Sequence, residues 1–227
     1  MKNTLIIAIM VCAATSCCLA AEPQNQQRYI VLAWSSRGMP FYSGDFQDMS
    51  IQPVRTTLWA QVIKVDEPPR IVTDGIIVEY SFRDNTYSAG KESRRDKTNF
   101  WKYVKKLFNA EPEINTGLSG KGLSGRMDRI DDHFVVDGIP LTEYRDNDVS
   151  DTDRNTWERH PYQLASVVVK DEATGVELCR ASVVAPVSSE MDCAVCHNDQ
   201  GMATKRHSIA PTGKAETNIL VLHDKLN

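Results

Sequence analysis

Between Thr57 and Val184 the chain keeps returning to one pattern, a short run of alternating apolar and polar residues followed by turn formers. A period of two puts successive side chains on opposite faces of an extended backbone, so each run can bury one face and leave the other in water. Ile76, Val78, Tyr80 and Phe82 alternate with Ile77, Glu79, Ser81 and Arg83, which predicts a strand with one buried face. Thr57 to Val65 reads as its partner, set off by the turn-forming Pro68-Pro69. His133 to Val136 and Ile139 to Tyr144 flank Asp137-Gly138, a dipeptide suited to the positive φ angles of a tight hairpin turn. A third pair, Gln163 to Val169 and Val176 to Val184, surrounds the turn formers Asp171 to Gly175. In its second member the apolar phase slips from Val176 and Leu178 to Cys179, Ala181 and Val183. One extra residue, a bulge, accounts for the slip and sets Cys179 on the core face as a small buried hydrophobe.

One helix stands out among these runs. Thr98 can cap it, and Phe100, Val104, Leu107 and Phe108 recur at helical spacing with Lys102, Lys105 and Lys106 between them, so it is expected to pack on the sheet. The spacing of short strands and turns predicts a mainly β chain: a sandwich-like β domain over residues 28–187 with one or two helices, a mixed α+β layer being the alternative. From Ser188 the alternation stops. Residues 188–227 read as an appended segment ending in a short amphipathic helix with Ile219, Leu220, Leu222, His223 and Leu226.

The amino terminus differs in kind. Lys2, the apolar run Leu5 to Ala14 and the small residues up to Ala20 have the make-up of a secretory signal peptide over residues 1–20, followed by a polar, flexible start at 21–27. Thr15 and Ser16 interrupt the apolar run before the ~20 residues a membrane span needs. Membrane attachment would then require retention of the leader, or lipidation at Cys17 in an alternative processing site. The expected location is periplasmic or otherwise extracytoplasmic. The net charge of -4 becomes slightly more acidic once Lys2 is removed. Arg94, Arg95, Lys102, Lys105 and Lys106 are interleaved with apolar residues, as on a solvated helix face, which argues against a nucleic-acid surface.

Of six cysteines, Cys12, Cys17 and Cys18 lie in the leader, leaving Cys179, Cys193 and Cys196. An odd, small number in an oxidising compartment argues against a disulfide framework. Cys193-Ala194-Val195-Cys196-His197 is the C-x-x-C-H signature of covalent haem attachment. One turn of chain between the cysteines lets both sulfurs reach the vinyl groups on one porphyrin edge, and His197 is thereby held beneath the iron. Haem c is therefore the expected cofactor, with Cys193, Cys196 and His197 as its residues. Zinc would want four tetrahedral ligands, and no second cysteine pair or spaced histidine pair follows. A redox disulfide would expect a thioredoxin-like βαβ context, which is missing.

The iron's second axial position has several candidates: Met202, His207 and His223 after the motif, and His133, His160, Met127 and Met191 before it. A second His gives a low-potential carrier, Met raises the potential, and an open position admits a small ligand. His223 is favoured, because Ile219, Leu220 and Leu222 could cover a porphyrin face while the helix presents the imidazole. His207, beside Lys205 and Arg206, reads as solvated, and His160 as part of the β domain.

Two other strings fail as motifs. Gly-Leu-Ser-Gly occurs at 117–120 and 122–125 around Lys121, but a phosphate-binding loop needs Ser or Thr where Gly122 stands, so the stretch reads as a flexible loop. Asp146, Asp148, Asp151 and Asp153 are spaced as in a calcium loop, yet Asp151 replaces the turn glycine and Trp157 the bidentate glutamate. That stretch reads as a solvated connection with at most adventitious calcium.

At Cys193 to His197 the chain resembles the c-type cytochromes. The approach Val184 to Met191, the motif itself and Asn218-Ile219-Leu220-Val221-Leu222-His223-Asp224 are similar to haem-binding regions of larger bacterial multihaem cytochromes c, over about the last forty residues. The resemblance implies extracytoplasmic electron transfer with a redox partner protein, other cytochromes among them. Such relatives continue into further C-x-x-C-H motifs whereas this chain stops at Asn227, so His223 could serve another haem in a longer product. The competing expectation is a haem-bearing binding or sensor module whose β domain recognises a ligand or partner. No acid–base constellation beside the motif recommends an enzyme.

Overall fold

The computed structural model describes residues 28–227 apart from 37, 48, 49, 51, 92, 93, 150–155 and 190–192. The expected leader and polar start, residues 1–27, lie outside the described residues, as do Met191, Asp151 and Asp153.

The chain is mainly β. Among the described residues nine strands form two antiparallel sheets: β1 (Tyr29–Ser35), β2 (Thr56–Lys64), β3 (Arg70–Ile71), β4 (Ile76–Phe82), β5 (Ser124–Arg126), β6 (Asp128–Ile130), β7 (His133–Ile139), β8 (Tyr162–Asp171) and β9 (Glu177–Pro186). One sheet has the order β1-β2-β7-β6 with β3 added to β2, and the other β5-β4-β8-β9. Only Met127 separates β5 from β6, and its N–H donates to the Val78 carbonyl at 2.9 Å. One run of chain thus gives an edge strand to each sheet, while on the far side β1 lies alongside β9. The inward faces meet in a single core that includes Leu58, Val62 and Val136 from one sheet and Val78, Val167 and Ala185 from the other.

The strand β4 forms where alternation predicted it, with Ile76, Val78, Tyr80 and Phe82 buried. Its expected pairing with Thr57–Val65 is overturned. β2 pairs with β1, β3 and β7, and β4 pairs with β5 and β8. After Pro68-Pro69 the short β3 folds back onto β2, and the chain then crosses to the other sheet.

The hairpin expected at Asp137-Gly138 is also overturned, because β7 runs straight through it. Thr57 faces Asp137 and Thr56 faces Ile139, so Gly138 is the extra residue of a bulge. The two-residue hairpin turns need positive φ at their first central position, and here Gly138 has it, at 85°, while Asp137 does not. The Asp137 carboxylate is held by the Thr57 hydroxyl and by the Arg55 guanidinium, whose Nε is 3.0 Å away. The actual turn comes earlier, at Asp131-Asp132 between Ile130 and His133, with Asp131 at φ 45°.

The third pair stands as predicted: β8 and β9 pair, and the turn is closed by Thr174 N–H donating to Asp171 Oδ1 at 2.8 Å. Val169 faces Cys179 while Lys170 faces Glu177, which puts a bulge at Leu178. Cys179 packs against the core, and burial followed by the nearby Glu177 pushes its thiol pKa up.

The helix α1 (Phe100–Phe108) buries Phe100 and Val104, and Phe46 meets Phe100 edge to face with ring centres 5.3 Å apart. Thr98 Oγ1 accepts the Phe100 N–H at 3.2 Å, but the cap position itself is Asn99, whose Oδ1 accepts from Phe46 N instead. The expected flexible loop of paired Gly-Leu-Ser-Gly is partly strand, since its second copy enters β5. Among the described residues no helix is long and apolar enough to cross a membrane.

Candidate functional site

After β9 the chain is stitched to the β domain before it reaches the cysteines. Val187 N–H donates to Pro161 O at 2.8 Å, Ser188 N–H to Pro40 O at 3.2 Å, and Tyr42 N–H to Ser188 O at 3.1 Å. Glu143, almost wholly buried, accepts from both the Ser189 hydroxyl and the Tyr42 phenol. Burial, with the Glu143 charge beside it, drives the Tyr42 pKa far above its usual value, so the phenol stays a donor.

The motif itself folds as one helical turn, α2 (Ala194–His197), with Cys193 at its cap. His197 N–H donates to Cys193 O at 2.9 Å and Cys196 N–H to the same oxygen at 3.2 Å. Three-residue spacing on a helical turn makes the two cysteines neighbours on one face. Both thiols are free, Cys196 exposed and Cys193 half-buried. His197 Nδ1 is buried without a hydrogen-bond partner among the described residues.

Two residues that sequence reasoning passed over position this turn. Gly201 lets the chain fold back toward α3 (Met202–Arg206): a Cβ there would sit 2.1 Å from the Cys196 carbonyl oxygen, so any side chain would displace the motif's backbone. Asn218, on α4 (Ala215–Leu226), is completely buried. Its Nδ2 donates to His197 O at 2.8 Å and to Asp199 Oδ1 at 3.0 Å, while its Oδ1 accepts from Thr212 N–H at 3.1 Å and Thr212 Oγ1 at 2.9 Å. All the capacity of the amide is filled. The same Asn218 contact, with Gly213 N–H, lowers the Asp199 carboxyl pKa. Thr204 Oγ1 adds a second donor to His197 O at 3.2 Å. A signal for Asn218 existed: it falls on the stripe formed by Ala215, Ile219 and Leu222, where an apolar residue belongs.

The candidate axial residues separate clearly. His223 stands on α4, which packs on α2, but its side chain is 70% exposed and its Nδ1 lies 3.4 Å from Asp224 Oδ1; it shares no hydrogen bond with His197. Met202 is exposed and His207 half-buried. His133 stacks on Trp59 with ring centres 4.4 Å apart, Met127 lies in the core, and His160 faces Asp148. Val195, Leu220 and Leu226 add to Met202 an exposed apolar surface on the segment.

Compared with protein-family models, curated proteins and solved structures, the chain matches none. Two free thiols on one face of a helical turn, followed by an imidazole with an unpartnered buried nitrogen, fit the donor set that covalent haem requires. The backbone beneath them is held by Asn218 and Thr204, which leaves the side chains available.

Within the acidic stretch expected to be a solvated connection, Asp146 is instead tied into the β domain. Asp146 accepts from Lys97 Nζ at 2.7 Å and from Thr86 Oγ1 at 2.7 Å. The Lys97 side chain is fully buried, with Asn85 Oδ1 at 2.9 Å and its ammonium 4.3 Å from the centre of the Tyr87 ring. Burial pulls the Lys97 pKa down to about 8 despite the carboxylate.

Proposed function

We propose that this chain is an exported c-type cytochrome that carries one covalent haem and passes electrons to a partner protein. The observation that carries the reading is the arrangement of Cys193, Cys196 and His197 on a single turn whose carbonyl is clamped by a buried amide. Cys193 and Cys196 would hold the porphyrin through thioethers, each S–H adding across a vinyl double bond with no leaving group. His197 would bind the iron, and His223 is the proposed second axial ligand. Haem bound there supplies an iron that alternates between ferric and ferrous states. The exposed apolar residues Val195, Met202, Leu220 and Leu226 suit a segment whose surface is completed by a porphyrin.

Expression in a host competent for cytochrome maturation tests this directly. The expected product is coloured, with the mass of the processed chain plus one haem, and Cys193→Ser with Cys196→Ser leaves it colourless. A colourless wild-type product with the mass of the bare chain overturns the reading. His223→Ala is expected to convert a low-spin spectrum to a high-spin one; an unchanged spectrum removes His223 from the iron while leaving the haem in place.

A second reading, a sensor or binding module, draws on a cleft beside β2. It is lined by Met39, Phe41, Pro53, Arg55 and Thr57. A high-spin wild-type spectrum that shifts on adding CO would favour it.

A further inference from the structure

The connection between β7 and β8 brings three ligating side chains together, far in sequence from the cysteine motif. Asp148, Glu158 and His160 each offer one ligand atom, and the three atoms lie within 4.8 Å of one another. His160 Nε2 is 3.2 Å from Asp148 Oδ2 and 3.6 Å from Glu158 Oε1.

The imidazole is aimed there by its backbone. His160 N–H donates to Glu143 O at 2.8 Å, and His160 O accepts from the buried Gln163 amide at 2.8 Å; the same amide bonds Glu143 O at 3.1 Å. Asp148 is set by its own turn, with Arg145 N–H donating to its Oδ2 at 3.2 Å.

Despite this company, His160 Nε2 is sealed from solvent and makes no hydrogen bond of acceptable geometry among the described residues. A lone pair on that nitrogen facing two carboxylates is repulsive, and a buried polar atom left unsatisfied costs about 1–3 kcal/mol. A cation between the three groups resolves both problems. Two carboxylates and a neutral imidazole carry two negative charges, which matches a divalent ion. Of the positive side chains nearby, Lys97 bonds Asp146 and Asn85 and reaches Asp148 only through its field, and Arg159 bonds Tyr144.

We propose that Asp148, Glu158 and His160 form a binding site for one divalent transition-metal ion of the zinc or manganese class. The single nitrogen donor sets the preference, since calcium takes oxygen ligands whereas imidazole with carboxylate suits zinc and manganese. Asp148 and His160 are mostly buried and Glu158 is exposed, so Glu158 closes the site from the solvent side. This site does not rest on the haem reading, and a colourless chain would still bind the ion.

The test is calorimetric titration of Zn²⁺ into the full chain carrying Cys193→Ser and Cys196→Ser, so that the motif thiols take up no metal. One zinc per chain is expected, with Ca²⁺ failing to compete. His160→Ala and Asp148→Asn should each weaken binding by more than the ~10-fold that marks loss of an outer-shell contact. Glu158→Gln, an exposed change that leaves the fold intact, should weaken it measurably. Absence of zinc uptake overturns the proposal, as does uptake that Glu158→Gln and Asp148→Asn leave unchanged. In either case the three side chains are a polar cluster that holds no metal.

Discussion

In the β domain two sheets and α1 share one hydrocarbon core in which Leu58, Val62, Val136 and Val167 are completely buried, whereas among the described residues of the carboxyl-terminal segment the completely buried side chain is an amide, that of Asn218. Around that amide the segment buries little hydrocarbon, chiefly Ile209 and Leu222. The domain closes on itself, and burial of apolar area at roughly 25 cal/mol per Å² drives it. The segment is latched by directional bonds instead, which fix a backbone shape but contribute only about 1 kcal/mol each in net terms. A latch of that kind would suit the proposed haem, with which much of the remaining stability would arrive.

The largest expected break in this contrast comes from the core. Leu58→Ala should cost about 3 kcal/mol of global stability, measured by denaturant unfolding. The motif should lose its order at the same denaturant concentration as the sheets or earlier.

Asn218→Ala should act on the segment alone. It strands the Thr212 N–H and leaves the His197 carbonyl with the Thr204 hydroxyl alone, at a local cost of about 2 kcal/mol. Hydrogen exchange should quicken at the amides of α2 and α4 while those of β2 and β8 are unmoved. Equal quickening in the strands would mean the two regions are one cooperative unit and that the contrast is mistaken.

The smallest change, read per pH unit, concerns a buried charge within the domain, Lys97. Its folded pKa, about 8, lies below the ordinary 10.5, so between these values the unfolded chain binds more protons than the folded one. Stability should therefore rise with pH across that window, by no more than about 1.4 kcal/mol per pH unit. Lys97→Met should flatten the rise in thermal melts taken from pH 8 upward. A fall in wild-type stability over the same range would contradict the burial argument.

Strand positions were legible because alternation is written residue by residue: Ile76 to Phe82 and Gln163 to Val169 lie where their period puts them. Even the slip at Leu178 could be read, since a phase change in apolar residues has one simple geometric cause. Pairing was less legible. Nothing in Thr57 to Val65 says which neighbour it will meet, and the crossing after β3 is decided by how both sheets fill one core. Asp137-Gly138 misled because the same dipeptide serves a turn or a bulge, and the choice lay with Thr57 and Arg55 on the partner strand side. At the candidate site the thiols and His197 were plain from spacing, while Gly201 was hidden and Asn218 showed only as a polar residue on an apolar stripe. Their importance comes from touching backbone oxygens of Cys196 and His197, contacts that exist only once the segment has folded.

The passage through Met127 has a consequence for how the molecule can come apart. Since the three residues before it belong to one sheet and the three after it to the other, no seam runs between the halves along which one could peel away. A single protease nick at this point would loosen both edges at once, and neither half could be excised and grafted elsewhere without carrying a raw margin with it.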